Sequence, residues 1–129
     1  MIKETLTYTD YNGDERTAEY RFHMSQVEWI RFDRKYGGIQ SYLEKAIRNG
    51  DEYAAMNMFE DLVQTAYGEK SSDGIRFEKS KEITDSFVQT EAYSNFIYDM
   101  LTNESRAIDF FNRLKPADNK SVVNSVSNK

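Results

Sequence analysis

The chain has 129 residues, a formal net charge of -5 and an isoelectric point near 4.9, which sets its field against phosphate backbones and disfavours nucleic acid as a partner. It has no cysteine and a single histidine, so disulfides, thiolate metal sites and cysteine nucleophiles are excluded together. No long apolar run and no basic-then-apolar leader is found, and the expectation is a soluble, cytoplasmic protein without a membrane partner.

Residues 2 to 10 alternate, with Ile2, Leu6 and Tyr8 on one face, Lys3, Thr5, Thr7 and Thr9 on the other, and Glu4 as the exception. Residues 15 to 24 alternate as well, so two half-buried strands are expected. A two-residue Asn12-Gly13 turn would set even residues against odd and split the apolar sets. A three-residue loop of Tyr11, Asn12 and Gly13 pairs Asp10 with Asp14 and Leu6 with Ala18, and restores one apolar face. That hairpin needs helices or a partner to lie against.

Helices follow. Ser25 and Glu28 form a capping box with Met24 and Trp29 as its staple, opening a helix over about 25 to 36 that Gly37-Gly38 ends. Ile39, Tyr42, Leu43, Ala46 and Ile47 mark a second, stopped at Asn49-Gly50. Asp51 caps a third that runs through Leu62, Val63 and Ala66 to Tyr67. Ile83 and Phe87 mark a short fourth, Thr90 with Glu91 starts a fifth, and Thr102 or Asn103 caps a last one carrying Ala107, Ile108, Phe111 and Leu114. Pro116 stops it. The fold expected is mainly α with an N-terminal β-hairpin, a small helical bundle of about five to six helices. Residues 1–116 form one domain, with the hairpin at 2–24 and helices at 25–114. Residues 117–129, without aromatic or helical stripe, are expected to be a flexible tail.

Between the third and fourth helices lies the most patterned stretch, residues 67 to 80. Gly68 is expected to close the preceding helix in the left-handed cap conformation, Asp73-Gly74 to turn the chain, and Ser80 to cap the next helix. Ile75 and Phe77 read as apolar anchors inside a rim of mixed charge formed by Glu69, Lys70, Asp73, Arg76, Glu78 and Lys79.

Catalytic and metal signals fail on inspection. Asp10-x-Asn12-x-Asp14 imitates the start of a calcium loop, but Glu15 stands at the sixth position and Arg21 at the twelfth. Lys70-Ser71 lacks the glycine that a phosphate loop places before its lysine. Adjacent carboxylates such as Glu60-Asp61 are solvated faces, and His23 reads as a solvent-facing strand residue. No enzyme, cofactor or metal is expected. The tyrosines, including Tyr36, Tyr42, Tyr53, Tyr67, Tyr93 and Tyr98, suit a core or a recognition surface.

The run Tyr67-Gly68-Glu69-Lys70-Ser71, Asp73-Gly74, Arg76-Phe77, Lys79-Ser80, then Phe87, Gln89-Thr90-Glu91-Ala92-Tyr93 and Phe111-Asn112 with Pro116 resembles tail assembly chaperones of long-tailed, siphovirus-type phages of Gram-positive bacteria. Ile75, Val88 and Asn95 depart from that pattern. The resemblance implies a non-enzymatic protein that binds the tape-measure protein, keeps it soluble and helps recruit tail-tube subunits. It further implies a frameshifted longer form of the same protein, whose junction would fall after Pro116, and action in the cytoplasm of the infected bacterium without incorporation into the mature virion. Self-association as a homo-oligomer is expected through the hairpin edge or the tyrosine-rich helices. Tyr67, Lys70, Asp73, Arg76, Phe77, Lys79 and Tyr93 are the residues assigned to a binding or fold-defining role. A small acidic adaptor or inhibitor of a host protein is the alternative, and would need its carboxylates gathered on one face.

Overall fold

A computed structural model describes residues 1–116; the tail expected over 117–129, and the frameshift junction, lie outside the described residues. The elements run β1 (Ile2–Thr9), β2 (Glu15–Phe22), α1 (Gln26–Lys35), α2 (Ile39–Arg48), α3 (Glu52–Ala66), β3 (Tyr67–Lys70), β4 (Phe77–Glu78), α4 (Lys81–Val88), α5 (Glu91–Thr102) and α6 (Glu104–Leu114). The four strands form one antiparallel sheet in the order β1-β2-β3-β4.

The architecture is therefore mixed α/β, and the expectation of a mainly helical bundle with a lone hairpin is corrected. The overlooked half of the sheet is the connector after α3. Tyr67-Gly68-Glu69-Lys70 carries a glycine and adjacent charges in place of an alternating apolar stripe, with only Tyr67 packed in the core. β3 pairs Phe22 with Tyr67 and Arg21 with Gly68, while β4 sets Phe77 against Lys70.

The hairpin register follows from its turn. Asp10 N–H donates to the Asp14 carbonyl at 2.8 Å, Gly13 takes φ 85°, and Leu6 faces Ala18. The Asp10 carboxylate accepts from the N–H groups of Asn12 and Asp14 and from Arg16 Nε, so the carboxylate that imitates a calcium ligand is the staple of the turn. The Arg16 hydrogen bond is the main reason its pKa lies below the ordinary carboxylate value.

Local rules set most helix ends. Ser25 and Glu28 make the capping box; Asp51, Ser80 and Thr90 accept from the N–H groups of Ala54, Ile83 and Tyr93; Asn103 both ends α5 and caps α6. Gly68 behaves differently from expectation. The residue that ends α3 is Tyr67, at φ -68° and ψ 139°, and Gly68 is an extended strand residue without positive φ. It is required for space, since a Cβ there would lie 2.6 Å from Phe77 Cε2 and 2.8 Å from the Glu78 carbonyl oxygen.

Phe22, fully buried on β2, occupies the centre of the core. Its ring stacks on Phe96 of α5 at 5.4 Å and meets Phe110 of α6 and Phe87 of α4 edge-on at 5.4 and 5.8 Å. Tyr67 of β3 approaches it at 5.7 Å. Some stripe assignments shift: Ile47, Leu101 and Ile108 are exposed, and α6 buries Phe110 beside the expected Leu114.

Replacing Gly68 with alanine forces the β3–β4 pair apart. A loss of about 1–3 kcal/mol in urea denaturation is expected, and an unchanged midpoint would contradict the close approach.

Candidate functional site

The residues singled out between 67 and 93 separate into three groups. Tyr67 and Tyr93 belong to the core. Both pack on Phe87, at 4.5 and 5.3 Å, and the Tyr93 hydroxyl donates to Glu60 Oε1 at 2.7 Å while accepting from Gln64 Nε2 at 2.9 Å. Burial foremost, helped by the Glu60 carboxylate, drives the Tyr93 pKa up, so the phenol remains a neutral donor.

Lys70, Asp73 and Arg76 stand at the exposed end of the β3–β4 hairpin. That tip is organised by Ser71, whose buried hydroxyl donates to Asp73 Oδ1 at 2.6 Å and accepts from the Arg76 N–H at 3.0 Å. Asp73 also accepts from the Ile75 N–H, and its pKa is lowered, first by the Ser71 hydroxyl. Gly74 completes the turn at φ 75°. Ile75 is 81% exposed, so the reading of it as an anchor is corrected: the turn directs its side chain to solvent. Arg76 pairs with Glu78 at 3.3 Å between exposed side chains, a contact of small energetic value.

Phe77 and Lys79 form the third group, together with two residues from outside the stretch. Lys79 Nζ donates to Glu28 Oε2 and to the His23 carbonyl oxygen, each at 2.7 Å, and lies 5.7 Å from the Phe77 ring centroid. Phe77 in turn meets the His23 imidazole edge-on at 5.9 Å. Glu28 thus serves the helix cap with one oxygen and Lys79 with the other, tying the start of α1 to the end of β4. Burial opposes ionisation of Glu28, but the hydrogen bonds from Lys79 and Ser25 outweigh it and bring its pKa below the usual value. Burial, and then neighbouring positive charge including Lys79, lowers that of His23. His23 is half-buried and packed, which corrects its reading as a solvent-facing residue.

Beside this network is an open polar cleft of about 410 Å³, walled by Glu28, Lys79 and Asp61. Its charges are already partnered, Asp61 accepting from Lys35 Nζ at 2.7 Å and from the Tyr36 hydroxyl at 2.5 Å. The Thr65 hydroxyl on the same wall donates to Asp61 Oδ1 at 3.4 Å. Among the described residues no group of three or more His, Cys, Asp or Glu side chains is placed to hold a metal ion, and no helix is long and apolar enough to cross a membrane.

One polar cluster that the motif reading did not single out is built on Glu4, the exception in the apolar face of β1. Glu4 is buried and its two oxygens accept from Arg106 Nη2 at 2.9 Å and Arg113 Nη2 at 3.1 Å, while Arg106 Nε also donates to Asp99. A carboxylate interrupting an otherwise apolar strand face was the signal that a cation must meet it. The cluster fastens α6 to β1. Between β1 and α5 it borders a cavity of about 220 Å³, lined by Leu6, Ala92 and Phe96 among others.

The described residues form a small mixed α/β body with a tight aromatic core and apolar side chains left exposed on several helices, features that suit the class of binding proteins. The family comparison gives the class a name: a model of phage tail assembly chaperones matches residues 1–127. The chain belongs to the phage tail assembly chaperone family. Comparison with curated proteins and with solved structures gave no match. Membership of a chaperone family suggests a non-enzymatic role with tail proteins as partners.

The pH dependence of stability tests the Lys79 network. Glu28 has a folded pKa below its ordinary 4.5, so its contribution is present above that value and lost as pH falls through the folded pKa. His23 has a folded pKa below 6.5; the unfolded chain binds the proton more readily, so stability falls as pH drops from 6.5 towards that lower value. Urea midpoints measured across both windows should lose the upper step in His23→Gln and the lower step in Glu28→Gln. A His23→Gln profile parallel to wild type across the upper window would refute the assignment.

Proposed function

We propose that this chain is the chaperone that holds the tape-measure protein soluble during tail assembly in a long-tailed phage of Gram-positive bacteria, and that it helps bring tail-tube subunits to that client. The family match over residues 1–127 carries this reading, and the motif between Tyr67 and Tyr93 supports its narrower form. Residues 1–116 act as the binding domain, working in the cytoplasm of the infected cell and absent from the finished virion.

The surface is compatible with a helical client. Val27 and Ile30 on α1, and Tyr98 and Leu101 on α5, are exposed pairs spaced three apart, and such spacing puts each pair on one face of its helix. Amphipathic helices are held by apolar side chains of this kind, with interfacial tyrosine adding area at small entropic cost. Mixed charges surround these residues, and the carboxylates of Asp10, Glu28, Asp61 and Glu4 are each engaged with a cation. That distribution does not favour the acidic adaptor, which needs an uncompensated acidic face.

Co-expression with the tape-measure protein of the same phage tests the proposal. The client is expected to move from the pellet to the supernatant and to co-purify with this chain, and Val27→Asp/Ile30→Asp or Tyr98→Ala/Leu101→Asp should reduce recovery several-fold without unfolding the chaperone. Client solubility that does not respond to the wild-type chain would end this reading.

A further inference from the structure

The outward side of α1 carries aliphatic and cationic side chains and no acidic one. Its exposed residues are Val27, Ile30, Arg31 and Arg34, with Lys35 behind them. Steps of three, one and three put the first four on one face of the helix, in a stripe about 10 Å long that begins aliphatic and ends in charge.

The two arginines do nothing for the fold that the described residues show. Standing three apart, they repel each other, and neither joins an ion pair. The carboxylates of their own helix are engaged elsewhere, Glu28 with Ser25 and Lys79, and Asp33 with the Ile39 N–H at 2.8 Å. Lys35, by contrast, is paired with Asp61. On the neighbouring α2, Lys45 and Arg48 are exposed and equally unpaired; outside these two helices, Lys70 and Lys115 are the other lysines and arginines of the described residues without an ion pair. A chain of net charge -5 thus keeps most of its unpartnered positive charge on α1 and α2.

We infer that the α1 stripe takes an acidic amphipathic helix, whose aliphatic side chains pack on Val27 and Ile30 and whose carboxylates are held by Arg31 and Arg34. The inference rests on the proposed chaperone role and specifies the client segment: a helical stretch with an aliphatic pair three or four apart and Asp or Glu within a turn of it. Charge selects the occupant, and the choice of arginine sharpens it, since a guanidinium grips a carboxylate through two parallel hydrogen bonds. Shape selects a helix, because a straight two-turn stripe is matched by the equal rise of a second helix laid along it. A lipid surface fits less well. An interfacial helix needs its broad apolar face free, whereas α1 buries Trp29 and Phe32 in the core, and the net charge of the chain repels anionic headgroups. The exposed pair on α5, a helix without lysine or arginine, lacks this charge preference.

Two probes separate the inference from the chaperone role itself: the tape-measure protein of the same phage, and a designed amphipathic peptide with Leu at its a and d positions flanked by Glu, beside its Lys counterpart. By fluorescence anisotropy at low salt, the full chain is expected to bind the Glu peptide about tenfold more tightly than the Lys peptide, a preference opposite to that of its overall charge and one that shrinks as salt is raised. Arg31→Glu/Arg34→Glu should reverse the preference and lower recovery of soluble tape-measure protein several-fold, while Arg31→Gln/Arg34→Gln should abolish the preference; circular dichroism melts establish that both variants fold. Equal binding of the two peptides by wild type, a preference untouched by the reversal, or unchanged client recovery in Arg31→Glu/Arg34→Glu overturns the inference and leaves the chaperone role standing. A tape-measure protein that stays insoluble with the wild-type chain, while the peptide preference reverses as expected, ends the chaperone role and leaves the stripe as a site for acidic helices. Another occupant also overturns the inference: a second copy, seen as a dimer that Arg31→Glu/Arg34→Glu dissociates; residues 117–129, seen as a cross-link from Lys120 to Lys35 that persists when the Glu peptide is added; or lipid, seen as cosedimentation with phosphatidylglycerol vesicles that the charge reversal abolishes.

Discussion

Everything in this molecule is arranged about the Phe22 ring. It meets a ring from β3 and from each of the last three helices: Tyr67 from β3, Phe87 from α4, Phe96 from α5 and Phe110 from α6. Rings in offset or edge-on contact add roughly 0.5–1.5 kcal/mol per pair beyond the area they bury, and here the pairs share one member. The consequence is cooperative: β2 fixes where three helices sit, and those helices fix the apolar face of the hairpin. A chain with 8 Phe, 9 Tyr and 1 Trp solves its core in this way, with rings in place of a leucine-rich seam.

That commitment constrains function. Because Phe22, Phe87, Phe96 and Phe110 are all but fully buried, none is free to grip another polypeptide without loosening the fold. The apolar side chains that the core leaves exposed include Val27 and Ile30 on α1 and Tyr98 and Leu101 on α5. The family's role as a tail assembly chaperone agrees with this division. The Lys79–Glu28–His23 group and the Glu4–Arg106–Arg113 group are then best understood as fasteners, one tying β4 to α1 and the other β1 to α6.

Much of the fold was legible in the residues wherever a local rule decided the outcome. The offset of the two alternating stripes forced the three-residue turn, and the side chains of Ser25, Asp51, Ser80 and Thr90 announced their helices because capping needs only a few neighbouring atoms. What escaped was non-local. β3 and β4 exist because β2 offers a bonding edge to Tyr67 and Gly68, and no side-chain period records that. Gly68 was misread for the same reason: a glycine after a helix is usually a cap, and only the distant Phe77 shows that it is there to make room. For the candidate site, the patterned character of 67 to 80 was visible, but its division into core, turn and fastener was not, since Glu28 and His23 lie 51 and 56 residues from Lys79 in sequence. Glu4 was noticed as an exception, yet its partners on α6 could be found only in three dimensions.

The aromatic core is expected to stay closed while the surface does the binding. Hydrogen–deuterium exchange of the chain, alone and in complex with its tail-protein client, addresses this directly. The amides of β2 and α5 around Phe22 and Phe96 should remain the slowest to exchange in both states, with new protection confined to surface-bearing elements such as α1. Loss of protection in β2 and α5 on complex formation would mean that the core opens to receive the client, and would contradict the account.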